Sequence, residues 1–387
     1  ADLVAVAEDR RMPPWHASTE VGGPFRDVRA LSDGEIALLR GWVEAGCPEG
    51  DPADSPPPAT YPDDWPLGPP DLVLKPEEAF RLDASGSDDY RVFVLPTGLT
   101  EGKWVAAVDF RPGNPKVVHH ILGAFDRTGA GRKLDQADEG PGYRPNQGFG
   151  INPVTTVLAA RIGDFGGMSG WAPGKSPRPL PPGIGRYLPA GSDILLQIHY
   201  HRSGKVETDQ TAIGLYFAKG TIDKQVVGGA VFPPRGKFLR PDMEIPAGDA
   251  SYEVAGRMAV NEDSHLIGII PHMHLLGKDF MLKAALPDGS ERTLIRVDRW
   301  DFNWQDVYEF ADPVALPKGT TVMMVAHFDN SGSNPANPSK PPKAVRWGEQ
   351  TTDEMCIGFL QLTRDNEKLG GKPPERPAGA SLFGGDR

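Results

Sequence analysis

Short apolar runs, rich in Val, Ile and Leu and often alternating with polar residues, follow one another from about residue 62 onward. Alternation with period two is the mark of a strand that buries one face. Strands are predicted at 90–95, 116–122, 193–200, 212–217, 265–270, 281–286, 321–326 and 354–360. Clusters of Gly, Pro, Asn and Asp separate them, as in β-sandwiches. Two such stretches of roughly 150 residues, each of domain size, meet near Lys219-Gly220. The fold class is therefore mainly β, with two tandem antiparallel β-sandwiches over 61–218 and 219–365 and a short α-helical segment at the N-terminus.

That N-terminal segment, residues 1–60, has a different pattern. Ser32 followed by Glu35 makes a capping box, Ile36, Leu39 and Val43 recur at helical spacing, and Gly46 stands where a C-cap belongs. A helix is predicted between Leu31 and Gly46, followed by a stiff Pro-rich linker over 51–59. Residues 123–185 are Gly- and Pro-rich with weak periodicity, which predicts long loops, and 366–387 read as a loosely ordered polar tail.

Composition narrows the function. A net charge of −11 argues against nucleic acid or an anionic membrane as partner, and no apolar run approaches the ~20 residues of a membrane span. The chain starts at Ala1, as a processed mature chain or a fragment does. Its two cysteines, Cys47 and Cys356, are too few for a disulfide scaffold or a cysteine-based zinc finger. A metal site here has to be built from His, Met, Asp or Glu.

The histidines supply one. Of nine, six form three pairs: His119-His120, His199-X-His201 and His272-X-His274. Random placement gives only roughly 0.2 of each pair type. One His-X-His on a strand is commonly structural or on the surface; three pairs inside strand-like runs point to metal. Imidazole suits Zn, Cu, Fe and Ni, and a thioether adds preference for Cu(I). Met273 is turned away from His272 and His274 by strand alternation, which leaves Met355, in Asp353-Glu-Met-Cys356, as the candidate thioether.

His119-His120, His199 in Gln-Ile-His-Tyr, Pro-His-Met-His-Leu-Leu-Gly and Asp-Glu-Met-Cys together resemble the copper type II, ascorbate-dependent monooxygenases over about residues 66–362. The resemblance implies two jelly-roll sandwiches facing each other across a solvent-filled cleft, with one copper on each. It implies that His119, His120 and His199 hold an electron-storing copper, and that His272, His274 and Met355 hold the copper where oxygen and substrate react. The implied activity is hydroxylation of a C–H bond of a small organic substrate, with O2 and an external reductant, ascorbate or an electron-transfer protein. His201 is read as a neighbour on the same face as His199 and not as a ligand. Adjacent His119 and His120 point to opposite faces of a regular strand, so both reach one metal only if the strand ends or bulges there, or if they use different ring nitrogens.

The chain departs from the family in three places. Animal members carry several disulfides, which two cysteines cannot reproduce. Peptide-amidating members have an arginine two residues before the His-X-His motif to grip a carboxylate; Ile270 stands there, which favours an apolar or neutral substrate. His327 stands where relatives often have tyrosine, as a residue behind the ligands or facing substrate. Two other classes fit less well: a non-catalytic copper-binding β-sandwich, and a zinc hydrolase, which needs a base that no H-E-x-x-H motif supplies.

The first sixty residues, through Arg10 to His16 and the helix predicted between Leu31 and Gly46, resemble something else, the C-terminal portion of a class I c-type cytochrome, with Met12 as an orphan haem ligand. No C-x-x-C-H is present, so no covalent haem is expected in this chain. An appended module of this kind implies a bacterial form and a periplasmic or secreted protein.

Overall fold

The computed structural model describes residues 2–57, 65–146, 148–151, 165–234, 241–348 and 350–374. Their strands form two sandwiches with separate cores. In the first sandwich one sheet runs in the order β12 (Lys224–Gln225), β8 (Ile184–Leu188), β5 (Lys103–Arg111), β11 (Ala212–Phe217) and β2 (Leu72–Leu74). The facing sheet is β4 (Asp89–Pro96), β9 (Asp193–Tyr200), β6 (Val118–Asp126) and β7 (Phe165–Trp171), while β3 (Phe80–Leu82) pairs separately with β10 (Glu207–Asp209).

The second sandwich has one sheet of β13 (Val227–Val231), β22 (Cys356–Arg364), β16 (Ser264–Met273) and β19 (Tyr308–Leu316). Opposite it lie β1 (Ala17–Gly22), β18 (Glu291–Val297), β17 (Gly277–Ala285), β20 (Thr321–Phe328) and β15 (Tyr252–Ala259), with β14 (Glu244–Ile245) paired to β21 (Val345–Arg346). Among these strands only β12 and β8 pair in parallel.

Side-chain alternation decides what each strand buries. On β20, Val322, Met324, Ala326 and Phe328 enter the core while the residues between them face outward. On β9 all eight residues are buried, because both faces are covered. Ile194, Leu196, Ile198 and Tyr200 face the first core, and Leu195 packs on the other side against Val92 and Tyr143.

The capping box at Ser32 and Glu35 starts a helix at Asp33–Glu44, and Gly46 takes the left-handed conformation after it. A further helix, Asp2–Glu8, precedes it. Residues 15–25 build into the second sandwich: β1 pairs with β18, and Trp15 and Phe25 pack on Tyr308.

Residues 123–185 are not all loop. β6 continues to Asp126, a helix spans Ala130–Asp135, and β7 pairs with β6; residues 152–164 lie outside the described residues. The start of the polar tail is held down as well. Leu369 and Gly371 donate backbone N–H groups to Asp223 and Ile222, and Trp104 Nε1–H donates to Gly371 O. Residues 375–387 lie outside the described ones. The chain passes between the sandwiches at Val226, a few residues beyond Lys219-Gly220.

Candidate metal centres

Three imidazoles converge on the outward face of β6 and β9. His120 is paired across the ladder with His199, but the preceding pair is Val118 with Tyr200, so β6 spends two residues where β9 spends one. His119 is the extra residue. This bulge turns the side chain of His119 toward the same point as its neighbour. His119 Nδ1 and His199 Nδ1 each lie 3.3 Å from His120 Nδ1, and the three residues form a group of possible metal ligands. Nitrogens bound at about 2.0–2.1 Å around one tetrahedral ion lie roughly 3.3 Å apart, so the donor set fits a metal.

The surroundings prepare His199 for that role. Its Nε2–H donates to Asp88 Oδ2 at 2.9 Å, which leaves the Nδ1 lone pair free, as a ligand tautomer requires. The Tyr90 ring, paired with His199 across β4 and β9, stacks on the imidazole at 4.2 Å and 6°. His201 Nδ1–H donates to the other oxygen of Asp88 at 3.0 Å. Burial tends to raise the pKa of Asp88, but hydrogen bonds and charge from His199 and then His201 outweigh it and hold the carboxyl well below its usual range. Loss of water pushes His119 down to about 4 and His120 well below its ordinary value. Both stay neutral at pH 7, the state that binds metal.

A second group lies on the outer face of β16. His272 and His274 share that face, their rings 5.2 Å apart and nearly perpendicular. Their partners select the opposite nitrogen. His272 Nδ1–H donates to Gln305 Oε1 at 2.6 Å and His274 Nδ1–H to the Asp353 carbonyl at 3.1 Å, so Nε2 is the free atom on each. Burial lowers the pKa of both, that of His274 to about 3.

Met355 precedes the first residue of β22. The register that pairs His272 with Ile357 and Met273 with Cys356 sets Met355 opposite His274 when continued by one step, on the same face as both histidines. Met273 faces the core and is fully buried. The Glu354 carboxylate ties the two ligand-bearing segments together, accepting from the backbone N–H groups of His274, Leu276 and Met355 at 2.9, 2.6 and 3.2 Å. Burial raises its pKa to about 8, against the pull of those donors.

The two groups meet. Phe302, on the 298–307 loop between β18 and β19, stacks on His119 at 5.1 Å and 19° and presents its edge to His274 at 5.9 Å. The same loop supplies Gln305 and Trp300, whose Nε1–H donates to His274 O at 3.0 Å. Thr351, four residues before Met355, donates its hydroxyl to Asp88 at 3.1 Å. At this point one aromatic ring spans the gap between the sandwiches, and a carboxylate behind His199 touches the Met355 segment.

The remaining predicted residues lie apart from this cluster or beside it. Ile270 pairs with the half-exposed Phe359 on the outer face of β16 and β22, and Phe359 lies 6.3 Å from the His272 ring. His327 is a correction. It sits on the outer face of the opposite sheet, its Nδ1 2.7 Å from Asp279 and its Nε2 3.6 Å from Glu253, with the core of the second sandwich between it and His272. Its place in the sequence did not tell which of the two sheets carries it. Met12 is 54% exposed. Asp88, Phe302, Gln305 and Thr351 escaped sequence reasoning because each reaches the site from a loop. Glu354 lay inside the Asp-Glu-Met-Cys motif, and its position beside a candidate ligand was the available signal.

Comparison with known proteins agrees with part of this picture. Residues 235–366 match the family model of the copper type II ascorbate-dependent monooxygenase C-terminal domain; His272, His274 and Met355 lie inside that range, and His119, His120 and His199 precede it. The chain is 22% identical over 288 residues to mouse DBH-like monooxygenase protein 1, covering 70% of this chain and 43% of the relative. Its human counterpart is 22% identical over 270 residues, covering 64% of this chain and 39% of the relative. The chain therefore spans less than half the length of these curated relatives. Likeness to the solved structure of PNGF-II is slight: TM-score 0.29 at 10% identity, covering 76% of this chain and 66% of that one. In its second sandwich, then, this chain is similar to the C-terminal domain of the copper type II ascorbate-dependent monooxygenases.

Proposed function

We infer that the protein is a dicopper monooxygenase that hydroxylates a C–H bond of a small organic substrate with O2 and an external one-electron reductant such as ascorbate. The observation that carries this reading is the meeting of two unlike donor sets across one ring. His119, His120 and His199 would hold one copper, and His272, His274 and Met355 the other. Copper supplies the one-electron redox chemistry with O2; the chain's own residues bind, orient and exclude water. Asp88, Gln305 and the Asp353 carbonyl fix which imidazole nitrogen is free. Phe302 keeps water from the space between the histidines, and Ile270 and Phe359 offer an apolar surface beside His272. A soft thioether on one site only makes the two coppers inequivalent. Met12 has no part in this reading. An exported location is part of the proposal.

Metal analysis of copper-loaded protein together with ascorbate-driven oxygen uptake tests it. Two coppers per chain and uptake that depends on both are expected. Two coppers with no uptake under any reductant would leave a copper-binding sandwich and overturn the enzymatic reading. Replacing the carboxylate behind His199, in Asp88→Asn, is expected to weaken copper binding at the three-histidine site by about 10–100-fold, as loss of an outer-shell partner does. A competitive chelator titration reads that change, and an unchanged affinity would remove Asp88 from the site.

A further inference from the structure

A cleft open to solvent lies between the two sandwiches. Its ionic side chains are Arg29, Lys175, Arg178, Arg186, Asp306 and Glu309. Most have partners. Arg29 is paired with Asp306, Arg178 lies 3.3 Å from Asp27, and Glu309 lies 4.0 Å from Arg26. Lys175 and Arg186 are left over. Among the described residues neither has a carboxylate within ion-pair distance; Lys175 donates to the Gly170 carbonyl only. Both are half-buried. Loss of water pushes Lys175 down to about 8, against the pull of Asp306 and with a further push from Arg186, and it pushes Arg186 down to about 10. Asp306 and Glu309 act on them only from beyond ion-pair distance, so two desolvated cations in this cleft have room for an anion in direct contact.

The cleft and the candidate metal centre share the outer face of the same sheet. Its second-sandwich wall includes Val307 and Gln361. The β16–β19 register, Gly268 with Glu309 and Ile269 with Tyr308, continues to place Val307 beside Ile270 and Gln305 beside His272. On β22, Gln361, Phe359 and Ile357 follow one another on that face, and Ile357 is the partner of His272. At about 3.3 Å per residue, Gln361 lies roughly 13 Å along the strand from the level of His272. Between them the surface is Ile270, Phe359 and Val307. The loop carrying Lys175 is held against the second sandwich by Trp304, which lies where a Cβ on Gly174 would be only 2.4 Å from its ring.

The geometry points to a substrate with a carboxylate at one end and an apolar body: Lys175 and Arg186 hold the carboxylate, Ile270 and Phe359 take the body, and the far C–H end reaches the His272, His274 and Met355 group. This rests on that group being the reacting centre. An apolar residue at Ile270 thus removes a carboxylate grip next to the metal without making the substrate neutral; the grip stands farther out. Ascorbate is also an organic monoanion, but its hydroxyl-rich body does not suit this wall.

Calorimetric titration of the full chain, with and without copper, separates these cases, using 4-phenylbutyrate, its neutral amide and ascorbate as probes. The acid is expected to bind at least ~10-fold more tightly than the amide, the difference that one desolvated charge-assisted contact makes. That preference is expected to shrink in Lys175→Gln and in Arg186→Gln, to vanish in the double variant, and to survive in Lys175→Arg. Equal binding of acid and amide, a preference that persists in the double variant, or binding of ascorbate in place of phenylbutyrate would overturn the assignment. The copper-free titration does not depend on redox activity, so a missing oxygen uptake in the loaded protein counts against the enzymatic reading alone.

Discussion

Met355→Ile is expected to leave a folded protein that takes up oxygen more than about 100-fold more slowly than the native chain, since outer-shell partners alone carry about 10–100-fold at a metal site. The two side chains are close in volume, and such exchanges in packed sites cost under about 1.5 kcal/mol. Met355 is also only partly buried, at the edge of β22. The loss is therefore one of chemistry. Isoleucine keeps the apolar contact and removes the single soft donor, so the site that remains, two Nε2 atoms set by Gln305 and Asp353, loses its preference for Cu(I). Copper bound through His119, His120 and His199 is expected to stay. Metal analysis then reads a fall from two coppers toward one, thermal melting reads little change, and an oxygen electrode reads the lost turnover. Full uptake by the variant would sink the role given to this sulfur, because no second methionine shares the face of His272 and His274 on β16.

How much of this was legible beforehand follows from what period two encodes. β9 and β11 match their predicted spans residue for residue, because each is a strand-like run bounded by turn residues. The end of β16 and the start of β22 were misjudged. β16 runs on to Met273, and β22 begins only at Cys356, since Glu354 bends in to satisfy three backbone donors. The same parity put His272 and His274 on one face and rejected Met273, but it could not see a bulge, so His119 stood as a conflict until the β6–β9 register resolved it. Residues from loops were beyond it altogether. Phe302 is near His119 only because the 298–307 loop crosses between sandwiches, a tertiary fact without local periodicity. Lys175 sat in a stretch set aside as loop and Arg186 just beyond it, and nothing in their spacing told that the other charges of the cleft would pair while these two stayed outside ion-pair distance. His327 was misplaced for a complementary reason: a position matched by resemblance does not tell which of two sheets bears the residue, and β20 lies in the sheet opposite the one that carries His272.

Glu354→Ala is expected to lower stability by about 3–5 kcal/mol, the cost of breaking a buried polar network by removing one member. The side chain is fully buried, and alanine would leave the N–H groups of His274, Leu276 and Met355 without acceptors in a place that water does not reach. Each such orphan costs about 1–3 kcal/mol, and partial relaxation of the β16 end makes the total less than the sum. Against a typical reserve of about 5–15 kcal/mol, that is a drop of roughly 10 °C or more in melting temperature. The damage is also local. These donors belong to a candidate ligand, to the residue two beyond it, and to the candidate sulfur ligand, so the carboxylate is what fixes His274 against Met355. Copper at that site is expected to be lost before the three-histidine copper as a chelator is raised. Glu354→Gln separates the two effects. Its amide oxygen can still accept from His274 and Met355 at the position of Oε2, while its NH2 faces the Leu276 N–H that Oε1 now serves at 2.6 Å. An intermediate melting temperature with weakened copper binding is expected. If Glu354→Ala melts like the native chain and keeps both coppers, the buried carboxylate is not what joins the two ligand segments.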